Sequence, residues 1–273
     1  MPDERFSIAQ VTPYAWEQHH DVNRFVERVS DELCARGHRV VVVAPSDSRE
    51  LIRESRATIK RCVQEPDCVF ASEGCANVLA VGQSIPFPPG ARRGGSVSLP
   101  ANVSRSIEDL FDHAPFDFVH VHEPFAPSAA SAALRHSRAL NVGSFHGATE
   151  RILSTQVARK LVTLLFGRLD GRTASSGVTR ELMARFFPGD YDVVTPGAEV
   201  TARPGEDGDR EIVDILYCAE EERAALRLFL RALRRLPPEL PWHATVWSRD
   251  DDGEPAVPLP RAIRDRVRFV GPA

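Results

Sequence analysis

Apolar residues recur along this chain in two rhythms, and the way the rhythms alternate predicts an α/β fold. Phe6–Val11 is a short apolar run ending in Thr12-Pro13-Tyr14, a strand that runs into a loop. From Val22 to Ala35 the apolar positions Val22, Phe25, Val26, Val29 and Leu33 fall at three-to-four spacing, one face of a helix. Gly37 follows where a left-handed helix cap belongs. His38–Pro45 (HRVVVVAP) carries four consecutive β-branched valines, as in a strand buried on both faces. These three pieces form a β-α-β unit, so the sheet begins at the N-terminus.

The same pattern returns more sharply between Phe116 and Arg151. Two strand-like runs, Phe116–Val121 and Asn141–Phe145, flank an Ala/Ser/Leu segment with helical spacing. A strand, helix and strand in that order imply parallel pairing and a right-handed crossover. Between the two units, Leu51–Val63 reads as a helix, Ala76–Val81 as a strand and Ser104–His113 as a helix. Residues 82–100 are rich in Pro and Gly and read as a long surface loop, with Arg92-Arg93-Gly94-Gly95 a candidate anion holder inside it.

Glu150–Leu169 has the length of a long helix bearing Arg151, Arg159, Lys160 and Arg168. Such charges serve either as a phosphate-holding edge or as a solvated face. Arg172–Ser175 and Asp192–Thr195 read as strands around a Val178–Phe187 helix, bringing the expected total to about seven parallel strands, a complete doubly wound domain over 1–202. Residues 203–211 (RPGEDGDRE) contain no apolar residue and read as a linker. The pattern restarts over 212–273 with Ile212–Cys218, an Arg223–Leu236 helix striped by Leu226, Phe229, Leu230, Leu233 and Leu236, then His243–Trp247 and Val267–Val270. That is fewer strands than a Rossmann-like domain normally has, so the second domain reads as incomplete.

Composition adds limits. At 42% hydrophobic and 26% charged residues the chain is an ordinary globular one. No run approaches the roughly 18–20 apolar residues of a membrane span, and the acidic start Met1-Pro2-Asp3-Glu4 does not resemble a signal peptide. A net charge of −4 argues against nucleic acid as a partner. Cytoplasmic placement is the expectation. Of the five cysteines, Cys62, Cys68 and Cys75 are spaced too widely for zinc knuckles and read as small thiols of a surface excursion; Cys34 and Cys218 read as core.

Candidate chemistry gathers at strand ends. His122-Glu123 follows one central strand, and His146, with Thr149 and Glu150 close behind, follows the next. Ligands of open parallel sheets bind beyond the carboxyl ends of the strands, so these residues form a candidate active-site wall. The first loop, Pro13–Asp21, faces the same edge. His120 sits within the apolar run and is expected to point into packing, not to join His122 and His146 around a metal. Glu123 is read three ways: it orients His146, accepts from a ligand hydroxyl, or caps the next helix.

These residues carry a resemblance. IAQVTPYAW at 8–16, ARGHRVVVVAP at 35–45, FDFVHVHEPFAPS at 116–128, NVGSFHGATER at 141–151 and the segment 168–200 resemble GT-B glycosyltransferases of the family-4 type, which include bacterial phosphatidylinositol mannosyltransferases and sucrose-phosphate synthases. The resemblance implies a GT-B-like fold, with a doubly wound, mostly parallel N-terminal Rossmann-like domain on the acceptor side and a donor-binding second domain. It implies transfer of a sugar from a nucleotide-sugar donor to an acceptor (a glycan, lipid or small molecule), with retention of anomeric configuration. It implies no bound metal or cofactor, and it leaves peripheral membrane contact open. His146 takes the place of the family's sugar-contacting histidine and Glu123 stands with it as catalytic. His122, His19, His20, Thr149, Glu150 and Arg151 are the substrate-binding candidates.

Three departures stand beside it. The family's Gly-Gly pair in the first loop is replaced by Glu17-Gln18-His19-His20-Asp21-Val22, and a β-carbon at each position keeps a diphosphate from its closest approach. His19 and His20 bind phosphate only when protonated, near pH 6.5 and below. Cys218-Ala219-Glu220-Glu221-Glu222-Arg223 stands where the family has an Arg and a Lys for the diphosphate, and the family's paired glutamates fall beyond residue 273. The rival expectation is a degenerate or truncated homologue that binds a ligand or a protein without catalysis. A nicotinamide-dependent oxidoreductase is disfavoured, because no G-x-G-x-x-G follows the first strand.

Overall fold

The computed structural model describes residues 4–18, 20–70, 76–86, 96–98, 100–126, 129–147, 163–197, 212–218, 223–237, 239–247, 258–259 and 261–271. The chain divides into two compact units, Met1–Ala198 and Glu199–Ala273. The candidate linker 203–211 lies outside the described residues.

The first unit is built on strands β1 (Ser7–Val11), β2 (Arg39–Ser46), β3 (Asn77–Pro86), β4 (Ser96–Ser98), β5 (Phe118–His122), β6 (Leu140–Phe145), β7 (Gly171–Ala174) and β8 (Asp192–Val193). They form one sheet in the order β4-β3-β2-β1-β5-β6-β7-β8. Every pairing from β3 to β8 is parallel, as the β-α-β reading requires. Chain order runs outward in one direction from β1 and in the other from β5. The reversal between them opens a crevice at their carboxyl ends, the usual ligand position in such sheets.

Helices cover both faces. Helix α1 (Asp21–Ala35) sets Val22 and Val26 against Val42 of β2. Alternate residues of the same strand, Val41 and Val43, turn to the other face. There they join Ile59 of α2 (Arg49–Arg61), Ile107 and Leu110 of α3 (Pro100–His113), and Ala132 to Leu134 of α4 (Ala129–His136) in the main core. Helix α5 (Gly177–Phe186) adds Met183. Gly37 adopts φ +90°, and the N–H groups of Gly37 and His38 return to Cys34 and Leu33, closing α1 as expected. Strand starts are pinned by aspartates: Asp117 accepts from the Ser7 N–H and Asp170 from the Asn141 N–H, each at 2.8 Å.

Several expectations change. The 82–100 stretch is not all loop: β3 runs on to Pro86 and pairs antiparallel with β4, Ile85 opposite Val97. Backbone pairing makes that hairpin, and a run with so few apolar side chains carries no periodic trace of it. The sheet is mostly parallel, as expected, with β4 its one antiparallel strand among the described residues. Arg92, Arg93, Gly94 and Gly95 lie outside the described residues, as does residue 150–162 of the expected basic helix, of which residues 163–166 are seen as helical. Cys62 is no surface thiol: it is fully buried beside Val69, its sulfur 3.6 Å from that of Cys68. Cys34 is only partly buried and Cys218 is exposed, so neither is core; Cys75 is outside the described set.

The second unit holds β9 (Val213–Cys218), α6 (Arg223–Leu233), β10 (Trp242–Trp247), a 3-10 turn at Arg261–Arg266 and β11 (Val267–Val270). The strands pair parallel in the order β11-β10-β9. Leu226, Leu230 and Leu233 pack with Trp242, Val246, Ile263 and Phe269, and Phe229 and Leu236 flank them, so the whole expected stripe faces the core.

Candidate active site

Histidines gather at the carboxyl ends of β5 and β6. His122 ends β5 and is wholly buried, and its Nδ1 lies 2.9 Å from His146 Nε2 just past β6. On its other side His122 Nε2 lies 2.9 Å from Oε1 of Gln10, a fully buried glutamine inside β1. The His120 ring lies 4.3 Å from the His122 ring and its Nε2 is 2.6 Å from Ser144 Oγ, which continues to Thr173 Oγ1 at 2.6 Å. His120 does point into packing, but into a polar seam across β5, β6 and β7. Phe25 of α1 sets its edge against both His122 and His146.

All three imidazoles are neutral at physiological pH. Burial pulls His120 and His146 down to about 4, with neighbouring imidazoles adding to it: His146 on His120, and His20 on His146. Burial, with His120 and His146 beside it, holds His122 well below the ordinary range. A neutral imidazole of that kind is a hydrogen-bonding group, not a proton store.

Glu123 holds the end of β6. Its Oε1 accepts from the backbone N–H groups of His146 at 2.9 Å and Gly147 at 2.8 Å. To do so its own backbone adopts φ +49°, the left-handed region that a non-glycine residue enters at a cost. Burial raises its carboxyl above the usual range, against the lowering effect of those two N–H groups. Of the three readings of Glu123, the geometry shows orientation of the His146 backbone. Tyr14 stands near: its hydroxyl is pushed up to about 12 by burial and by the charge of Glu123.

The first loop is locked from beneath. Asn23 of α1 donates to the Ala15 carbonyl at 2.7 Å and accepts from the Thr12 hydroxyl at 2.8 Å. Glu17 accepts from the Ser46 hydroxyl and the Asp47 N–H; burial would raise its carboxyl, but these bonds outweigh that and leave it low. His20 stacks on Tyr14 at 3.5 Å and caps α1, its Nδ1 accepting from the Val22 N–H. Its ring is thus engaged in the loop, at the edge of the site, near enough to His146 to disfavour a second charge there.

Of the candidates, His122, Glu123 and His146 are brought together with His20 beside them. His19, Thr149, Glu150 and Arg151 lie outside the described residues, as do Glu220 to Glu222. Gln10, Asn23, Glu17 and Phe25 are additions. A polar residue inside the SIAQV strand was the one trace of Gln10 in the sequence.

The description Glycosyltransferase Family 4 matches residues 22–202. The phosphatidyl-myo-inositol mannosyltransferase of Mycolicibacterium smegmatis is 26% identical over 258 residues, covering 90% of this chain and 60% of that protein. The enzyme of the same name from Mycobacterium tuberculosis is 24% identical over 274 residues, covering 97% of this chain and 65% of its own. The chain thus spans under two thirds of the length of these relatives. Among solved structures, a glycosyltransferase from Rickettsia africae superposes with a TM-score of 0.61 at 13% identity, over 98% of this chain and 68% of that one. Sucrose-phosphate synthase from Thermosynechococcus elongatus gives 0.62 at 14% identity, over 98% and 70%. These likenesses establish the GT-B type of fold. With two thirds of its length matching the family description and the strand-end histidines in place, the chain belongs to glycosyltransferase family 4.

Proposed function

We propose that this protein supplies the acceptor-side site of a glycosyltransferase that moves a sugar from a nucleotide-sugar donor to a hydroxyl group. One observation carries the reading: His146, just past β6 and one strand from the strand-order reversal, is held by a ring contact from His122 and by Glu123, which accepts from its backbone N–H and from that of Gly147. A neutral, oriented imidazole there suits hydrogen bonding to a sugar hydroxyl in the transition state, where preorganised groups contribute most. Glu123 and His122 act as positioning residues for it, and His20 shapes the rim.

The matched relatives are named for mannose and for phosphatidyl-myo-inositol. We therefore take a mannosyl donor and a polyol-bearing lipid head group as the first substrates to test. Among the described residues no helix is long and apolar enough to cross a membrane. Retention of configuration and independence from metal ions belong to the same reading, supported by the family resemblance.

The test is a radiolabelled transfer assay with GDP-, UDP- and ADP-sugars against phosphatidylinositol vesicles and soluble polyols. Product formation that is lost in His146→Ala, with an unchanged far-UV spectrum, is the expected result. Equal turnover by the variant would remove His146 from the site, and an inverted product anomer would remove the retention. No product from any pair would leave the non-catalytic homologue as the better account.

A further inference from the structure

We infer that Gln10 is a positioning residue that fixes which nitrogen of His146 carries its proton. The bonds run in one direction. Gln10 presents Oε1, an acceptor only, to His122 Nε2 at 2.9 Å, so the single proton of neutral His122 must sit on Nε2. The Nδ1 of His122 is then a lone pair, and the His146 Nε2 that meets it at 2.9 Å must be the donor. His146 therefore keeps a lone pair on Nδ1. That atom takes no hydrogen bond from the described residues and is left to accept one.

Gln10 is an unexpected residue for its place. It lies in β1 among Ile8, Ala9 and Val11, with no exposure at all, and its Nε2 has no partner among the described residues. An apolar side chain would fill that position without leaving a donor unpaired. The bond that Gln10 does make is the one to His122. Around the relay, His120 packs on the His122 ring with its own Nε2 committed to Ser144, and the Phe25 ring lies T-shaped to both His122 and His146. The His122 ring nitrogens meet Gln10 and His146.

The consequence for the proposed chemistry, which rests on the reading of His146 as a sugar-contacting group, is polarity of recognition. His146 would accept from a ligand hydroxyl at Nδ1 and not donate to one. The tautomer itself does not depend on that reading, so the two can fail separately.

The tautomer is read directly by long-range proton–nitrogen correlation of the imidazole rings in the full, uniformly 15N-labelled chain, without ligand, at pH 7.5. The expected spectrum shows His122 and His146 each in the Nε2–H form. In Gln10→Met, which fills the space without an acceptor, both rings should shift to a mixture of tautomers. In Gln10→Glu, which keeps an acceptor at the same reach, His122 should hold its Nε2 proton. A wild-type His146 protonated at Nδ1 would overturn the inference even if neither variant folds. So would a Gln10→Met spectrum identical to that of the wild type, since packing alone would then set the tautomer.

Discussion

The buried imidazoles predict a specific acid lability of the first unit. His120 titrates near 6.5 when unfolded and is held at about 4 in the folded protein. Between those values the unfolded chain binds more protons, so stability must fall as pH is lowered. The sign is that of a depressed base, and the window is pH 6.5 down to 4. Integrating that single shift from pH 7 to pH 5 gives a loss of about 2 kcal/mol, and His146, depressed to the same extent, adds a similar amount. Other groups titrate too: the raised carboxyl of Glu123 opposes the trend and the lowered one of Glu17 reinforces it. The clean measurement is therefore a difference. In His120→Gln, which retains a partner for Ser144, the stability lost between pH 7 and pH 5 should be about 2 kcal/mol smaller than in the wild type. Because the chain has two units, the reading should come from hydrogen exchange of β1 and β5 peptides, corrected for intrinsic rates, not from a single melting curve. Equal losses in both proteins would mean that His120 charges without cost in the folded state, and the account of a dry histidine seam would be wrong.

Three further outcomes follow from the same geometry. Glu123→Ala keeps the left-handed backbone but deletes both bonds to the β6 end, and should cost about 2–4 kcal/mol; Glu123→Gly should recover about 1 kcal/mol of that in thermal denaturation, and the reverse order would contradict the assigned φ. Gly143→Ala would place a β-carbon 2.8 Å from Leu169 and 3.0 Å from Pro124, so it should lower stability by about 1–3 kcal/mol by chemical denaturation, and a neutral change would show that the two neighbours yield freely. Transfer activity, once a donor and acceptor pair is found, should survive exhaustive dialysis against EDTA; its loss and return with a divalent ion would replace the metal-independent scheme.

What was legible in the sequence follows from how local each cause is. Strand β2 announces itself because a strand covered on both faces needs almost nothing but apolar residues, as Val40 to Val43 show. The hairpin of β3 and β4 was invisible because its partners are matched through backbone groups across residues with no repeating side-chain pattern. His122 and His146 stood out as polar groups directly after apolar strands. Gln10 did not, since one polar residue in a short strand is common and its meaning depends on a histidine 112 positions away. The task of Glu123 was equally hidden: it grips N–H groups 23 and 24 residues downstream, a contact created by strand adjacency and not by spacing.

The sheet of the first unit also bears on how such enzymes diversify. Gln10, His122, Glu123 and His146 hang from three neighbouring strands and fasten to one another, with no residue after Ala198 taking part in those bonds. On the proposed function, a cassette wired in this manner could be grafted whole: fusing residues 1–198 to the donor half of another family member should then change which activated sugar is consumed while leaving the choice of recipient hydroxyl where it was.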